Sequence, residues 1–182
     1  LATKDKKDFE NISKLIPNKE FRIYYSNDLI GTQIGGSLKN IYAIAAGIAE
    51  GLNLGENAKS ALISRSFAEM TRYAKKFKAD KNTLFGLSGL GDLILTCSSK
   101  NSRNTQFGIK LASSKYDNFL DLLKSQEVTE GYYTVKAVYN ISQKKNIDMP
   151  IMESVYNILY KQHDLKEELS NLLSRPITEE KI

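Results

Sequence analysis

Residues 33–51, QIGGSLKNIYAIAAGIAEG, constrain the fold more than any other segment of the chain. Apolar residues recur there at the three- and four-residue spacing of one helix face: Ile34, Leu38, Ile41, Ala45 and Ile48. Glycine and alanine fill many of the other positions, so neighbouring helices can approach this segment closely. The segment therefore predicts a long helix that packs tightly against its neighbours.

Apolar spacing indicates helices along most of the remaining chain. They are predicted over 8–15, 57–78, 91–97, 117–124, 131–144, 150–161 and 165–174, and one more begins at Ser102. Residues 21–26, FRIYYS, alternate in character and favour β-structure, which predicts a strand. One helix and one strand cannot form a sheet, so we predict that residues 1–30 are the C-terminal remnant of an α/β domain. Residues 31–182 are predicted to form an all-helical domain, which makes the fold mainly α.

The composition is that of an ordinary soluble globular protein, with 182 residues, 41% of them hydrophobic and 26% charged. No membrane span is expected, because the longest apolar run, residues 41–49, ends at Glu50. The single cysteine, Cys97, excludes an internal disulfide and favours a cytoplasmic location. A net charge of +5 fits nucleic acid, a phosphorylated small molecule or a solvated basic surface, and the scattered lysines favour the solvated surface.

Lys39 is the first candidate for chemistry, because it lies in a helix whose other faces are small or apolar. A positioned amine there could donate or accept a proton, although a lysine in this position more often extends to water. Asn40 places an amide at the border of the same cleft. Asp92 and Thr96 are four residues apart and share a helix face, as a functional pair or as an ordinary surface pair.

The polar loop SSKNSRN, residues 98–104, is the second candidate. Ser102 is a good N-cap, which would place Arg103 and Asn104 in a first helical turn. Free backbone N–H groups and the positive end of the helix dipole attract anions there, and the guanidinium of Arg103 suits phosphate. Taken alone this is a weak indication of an anion site. No metal site is predicted, and Cys97 is expected to pack in the core.

Four ordered blocks carry a resemblance to a known family. They are IGGSLKNIYAIAAGIAEGLNLGENAKSALISRSFAEMTR, GLSGLGDLILTCSSKNSRNTQFG, EVTEGYYTVKAVY and DMPIMESVYNILY. In this order they resemble the C-terminal half of bacterial NAD(P)-dependent sn-glycerol-3-phosphate dehydrogenase, from about residue 27 to residue 175. The resemblance implies an all-helical substrate domain like that of 6-phosphogluconate dehydrogenase, preceded by a dinucleotide-binding α/β domain of which residues 1–30 are the remnant.

The resemblance also implies residue roles. Lys39 is implied as the catalytic lysine, and the substrate-binding residues are Lys39, Asn40, Asp92, Thr96, Ser102, Arg103 and Asn104. The implied residues for NAD or NADP are Arg103, Val128 and Glu130, with most cofactor contacts expected from the preceding domain. The implied reaction interconverts dihydroxyacetone phosphate and sn-glycerol 3-phosphate, which feeds glycerophospholipid synthesis. Without the nucleotide-binding domain we expect no activity.

Two other functions stay open at this stage. One is a related dehydrogenase of another small hydroxy or keto acid, and the other is a basic helical interaction module. The second is disfavoured because aromatic and basic residues do not interleave as in nucleic-acid-binding proteins, so a small phosphorylated substrate is expected and nucleic acid is not. A homodimer is one possible assembly, and the preference between NADH and NADPH is not evident from these residues.

Overall fold

A computed structural model of the chain describes residues 1–16, 21–113 and 129–175. Within these ranges the α-helices are α1 Lys6–Leu15, α2 Leu29–Gly51, α3 Glu56–Lys75, α4 Lys81–Phe85, α5 Asp92–Ser98, α6 Arg103–Ser113, α7 Glu130–Lys145, α8 Pro150–Lys161 and α9 Leu165–Leu173. A π-helical turn, Leu87–Gly91, joins α4 to α5. The helix predicted over 117–124 lies outside the described residues. None of the described helices is long and apolar enough to cross a membrane.

Helix α2 is the central element, and α3, α5, α6, α7 and α8 all pack against it. The predicted apolar face is buried, and its residues are at most 9% exposed: Ile34, Leu38, Ile41, Ala45 and Ile48. The helix starts four residues before its predicted start. The reason is Asp28, whose carboxylate accepts a hydrogen bond from the Gly31 N–H at 2.8 Å and so caps the helix.

The backbones of α2 and α6 are in direct contact. A Cβ added to Gly47 would overlap the carbonyl oxygen of Thr105, and one added to Gly108 would overlap the carbonyl oxygen of Ile44. The same added atom at Gly108 would also lie 2.8 Å from the backbone nitrogen of Ile48. Only glycine fits at these two positions, because the obstructing atoms belong to backbone and cannot rotate away.

A buried carboxylate connects α3 to the start of α8. Glu69 is 1% exposed, and its two oxygens accept hydrogen bonds from the backbone N–H groups of Ile151 at 2.6 Å and Met152 at 3.2 Å. The hydroxyl of Tyr42 donates to the same carboxylate at 3.3 Å. Glu69 therefore caps a helix that has no side-chain cap of its own. Burial raises the pKa of Glu69 from 4.5 to about 7, despite these hydrogen bonds.

The strand predicted over 21–26 is wrong. The described part of the chain contains no strand, and this segment forms one isolated parallel bridge, between Ser26 and Ala2. Two backbone hydrogen bonds accompany the bridge, from Thr3 N to Ser26 O at 3.0 Å and from Ser26 N to Leu1 O at 3.1 Å. Residues that favour β-structure form a strand only beside a partner, and among the described residues the partner is limited to residues 1–3.

We expect Gly108→Ala to destabilise the protein by about 3 kcal/mol or more, because the new methyl group meets backbone on both sides. Gly36→Ala is the matched control, since a Cβ there meets nothing within 4 Å. That variant should be more stable than wild type by about 0.5–1 kcal/mol, through the higher helix propensity of alanine. Urea unfolding measures both values, and equal stability of the two variants would contradict the backbone contact.

The raised pKa of Glu69 predicts a pH-dependent stability. The folded state binds the proton of the Glu69 carboxyl group more tightly than the unfolded state does. The contribution of this group to the free energy of unfolding is therefore complete below pH 4.5 and is lost as pH rises through about 7. The shift corresponds to about 3 kcal/mol. We therefore expect the free energy of unfolding of wild type to fall between pH 5 and 8 relative to that of Glu69→Gln, which cannot ionise. Parallel pH profiles in urea unfolding would disprove this assignment.

Candidate active site

The centre of the candidate site is an ion pair between α2 and α5. The Nζ atom of Lys39 lies 2.5 Å from Oδ2 of Asp92, and the side chains are 23% and 31% exposed. The amine therefore contacts a carboxylate at the border of the protein and does not simply extend into water. A partly buried ammonium fixed by a carboxylate is suited to exchange a proton with a bound molecule.

The π-helical turn explains why these two residues meet. A Cβ added to Gly35 would overlap the carbonyl oxygen of Ser88, so the backbone of the turn lies directly against α2 at that point. Lys39 is one helical turn further along the same face of α2, and Asp92 follows the π-helical turn in sequence. The close contact at Gly35 therefore brings the carboxylate to the amine.

Thr96 lies one turn after Asp92 on α5, as its spacing predicts. Its hydroxyl donates to the backbone carbonyl of Asp92 at 2.6 Å and lies 3.4 Å from Oδ1 of the same residue. The hydroxyl is thus beside the carboxylate that contacts Lys39. It is only partly buried, so a bound molecule could also reach it.

Helix α6 begins as predicted, with Ser102 as the preceding residue. The Oγ of Ser102 accepts a hydrogen bond from the Thr105 N–H at 3.3 Å, and its backbone oxygen accepts one from the Gln106 N–H at 2.9 Å. The N–H groups of Arg103 and Asn104 come earlier in the turn, where an α-helix provides no acceptor. They are therefore suited to an anion.

The side chain of Asn104 connects α6 to both α2 and α7. It is buried, its Nδ2 donates to Oδ1 of Asn40 at 3.1 Å, and its Oδ1 accepts from the Gly131 N–H at 3.0 Å. A Cβ added to Gly131 would lie 2.7 Å from both Asn104 Oδ1 and the Asn40 carbonyl oxygen. The start of α7 is thus held against the residue that follows Lys39.

Arg103 and Glu130 form an ion pair at the rim of the site. Their side chains are 76% and 52% exposed, so both can reach a ligand. Val128, predicted to contact the cofactor, lies outside the described residues. Cys97 is fully buried, and burial raises the pKa of its thiol to about 12, so it is a core residue as predicted and not a nucleophile.

The structure brings the predicted residues together through two connections, Lys39 with Asp92 and Asn40 with Asn104. Two residues of the site were not predicted from the sequence: Thr105 and Gly131. Thr105 donates its hydroxyl to the carbonyl of Thr96 at 2.8 Å, and nothing in the sequence indicates such a contact. Gly131 lies in the first turn of α7, and the need for glycine there becomes evident only from the close approach of Asn40 and Asn104.

The model of a protein family described as NAD-dependent glycerol-3-phosphate dehydrogenase C-terminus matches residues 28–170. The chain belongs to this family. The match begins at the N-cap of α2 and includes every residue of the site described above. The mainly helical fold is therefore that of the C-terminal domain of these dehydrogenases, as the four sequence blocks predict.

Similar proteins agree with the family. A glycerol-3-phosphate dehydrogenase [NAD(P)+] of Solidesulfovibrio magneticus is 44% identical over 181 residues, which is 99% of this chain and 54% of the relative. A relative of the same description from Francisella tularensis is 42% identical, with the same coverage. The chain thus spans about half the length of the curated relatives it matches.

Solved structures show the same fold. The crystal structure of glycerol-3-phosphate dehydrogenase from Coxiella burnetii is similar with a TM-score of 0.88 at 37% identity, over 96% of this chain and 53% of that one. The yeast enzyme from Saccharomyces cerevisiae is similar with a TM-score of 0.77 at 29% identity, over 90% of this chain and 48% of the other.

The contact between Asn40 and Asn104 can be measured by a double-mutant cycle. Asn104→Ala should cost about 1–3 kcal/mol of stability, because it leaves the buried Gly131 N–H without an acceptor. We expect a coupling energy of about 1 kcal/mol between Asn40→Ala and Asn104→Ala in urea unfolding. A parallel cycle of Asn104→Ala with Asn140→Ala, on the exposed face of α7, should be additive. Additivity in both cycles would refute the contact.

Proposed function

We propose that this chain forms the helical substrate-binding part of an NAD(P)-dependent oxidoreductase that interconverts dihydroxyacetone phosphate and sn-glycerol 3-phosphate. This reaction would feed glycerophospholipid synthesis. The observation that carries the proposal is the ion pair of Lys39 with Asp92, linked through Asn40 and Asn104 to a helix start suited to phosphate. Reduction of a phosphorylated ketone requires a proton donor and an anion site from the protein, in addition to a hydride from the dinucleotide.

Lys39 is the proposed proton donor. In the reducing direction its ammonium gives a proton to the C2 oxygen as negative charge develops there, and the neutral amine remains. In the oxidising direction the amine takes the proton of the C2 hydroxyl. Asp92 orients the ammonium, and the hydroxyl of Thr96 and the amide of Asn40 border the position of the substrate. NAD(P)H, when bound, supplies the hydride that the C2 carbon accepts.

The phosphate of the substrate is assigned to the first turn of α6, from Ser102 to Asn104. The two early N–H groups of the turn and the guanidinium of Arg103 provide the donors. The exposed ends of Arg103 and Glu130 also fit a dinucleotide, because a guanidinium pairs with phosphate and a carboxylate accepts hydrogen bonds from ribose hydroxyls. Val128 is included in this cofactor contact by family resemblance alone.

The proposal extends to the setting of the enzyme. We infer a cytoplasmic protein, consistent with a single cysteine that is buried and free of disulfides. We also infer that the ligand is a small phosphorylated molecule and not nucleic acid. Residues 1–30 are assigned to the end of the dinucleotide-binding domain and residues 31–182 to the helical domain, so activity requires the complete enzyme.

The decisive test is Lys39→Ala in the complete enzyme. We expect turnover of dihydroxyacetone phosphate with NAD(P)H to fall by about 10²–10⁴, the typical contribution of a positioned acid or base, while dinucleotide affinity stays nearly unchanged. Lys59→Ala is the matched control, since Lys59 pairs with Glu50 at 2.8 Å and is only 13% exposed. It should keep wild-type turnover. Retention of more than half of the wild-type rate in Lys39→Ala would rule out the assignment.

A further inference from the structure

One fully buried hydroxyl connects α5 to α6 beside the site. Thr105 is 0% exposed, and its Oγ1 donates to the backbone carbonyl of Thr96 at 2.8 Å. That carbonyl belongs to the last turn of α5, where the helix itself provides no donor. The bond therefore satisfies a carbonyl that would otherwise lack a partner, and it fixes the end of one helix to the start of the next.

Both residues that form this hydrogen bond also contact residues of the proposed active site. Thr96 is the residue whose hydroxyl bonds to Asp92, the partner of Lys39. The N–H of Thr105 donates a hydrogen bond to Oγ of Ser102, the N-cap of α6. The carbonyl oxygen of Thr105 lies against Gly47 of α2. The hydroxyl of Thr105 thus joins the element that carries the carboxylate to the turn that carries the anion-binding N–H groups.

The connecting loop provides weaker support for the same geometry. Residues 99–102 are exposed or half-buried, and two of their hydrogen bonds lie within the loop, from Ser102 N to Ser99 O at 3.1 Å and from Asn101 N to Ser99 Oγ at 3.1 Å. One further hydrogen bond joins the loop to α6, from Nε2 of Gln106 to the backbone carbonyl of Lys100 at 2.9 Å, and this bond is exposed. Because Thr105 is buried whereas the Gln106 bond is open to water, the Thr105 hydroxyl is the stronger of these two links from α6 to α5 and its loop.

We propose that Thr105 is a positioning residue, which sets the distance between the anion-binding turn of α6 and the Lys39–Asp92 pair. It touches no substrate atom and acts through Thr96 and Ser102. The inference rests on the proposed function for its kinetic consequence, but its structural part concerns this chain alone. A valine of the same shape would fill the space of Thr105 and lack the donor, so the hydroxyl can be tested separately from packing.

The kinetic test uses Thr105→Val and Thr105→Ser in the complete enzyme, with the phosphorylated substrate varied at saturating dinucleotide. We expect KM to rise about fivefold or more in Thr105→Val, the effect of one lost hydrogen bond, while kcat changes less than twofold because the Lys39–Asp92 pair is intact. Thr105→Ser keeps the donor and should stay within twofold of wild type in KM. Thr71→Val is the matched control, because it removes a hydroxyl bonded to the Phe67 carbonyl at 2.9 Å inside α3.

Amide hydrogen exchange is the second readout and needs no activity. In Thr105→Val the N–H groups of residues 99–104 should exchange faster than in wild type, while those of α3 keep their rate. Unchanged exchange at 99–104 overturns the proposal, as does an unchanged KM in Thr105→Val or an equal rise in Thr105→Ser. If wild type does not turn over dihydroxyacetone phosphate, the proposed function fails, and hydrogen exchange alone decides whether Thr105 positions the turn.

Discussion

The direct backbone contact of α2 with its neighbours is the constraint on which the rest of this structure depends. At Gly47 and Gly108 the backbones of α2 and α6 leave no room for a Cβ, and at Gly35 the π-helical turn approaches α2 in the same way. Side chains can change rotamer to absorb a small displacement, but backbone atoms in contact cannot. The positions of α6 and of the π-helical turn relative to α2 are therefore fixed far more narrowly than an interface of long side chains would fix them.

The candidate site follows from two adjacent faces of one helix. Gly35 and Lys39 lie on the face that meets the π-helical turn and α5, whereas Asn40 and Gly47 face α6. Consecutive helical residues point about 100° apart, so Lys39 and Asn40 each serve a different neighbour. A single helix thus carries the proposed proton donor and contacts both α5 and α6, and the hydroxyl of Thr105 adds the direct link between those two helices.

Features that follow from local sequence patterns could be predicted, whereas features that depend on one contact with a distant residue could not. The apolar period of α2 and the N-cap at Ser102 were visible because each is a local pattern, and both are confirmed. The strand over 21–26 failed because a strand depends on a partner that local propensity does not reveal. Thr105 was invisible for a related reason, since a buried threonine and a surface threonine look identical until the neighbouring carbonyl is known.

The hydrogen bonds of the Asn104 side chain indicate which atoms of this residue are available to an anion. Both of its polar atoms already have partners, Asn40 and the Gly131 N–H, so a phosphate bonded to this amide would break a buried hydrogen bond. The backbone N–H of Asn104 lies in the first turn of α6, where the helix provides no acceptor for it. The proposed substrate contact of Asn104 is therefore through its backbone N–H, while its side chain bonds to Asn40 and to the start of α7. Arg103 differs, because its ion pair with Glu130 is exposed and contributes little, so the guanidinium can turn to an arriving anion at small cost.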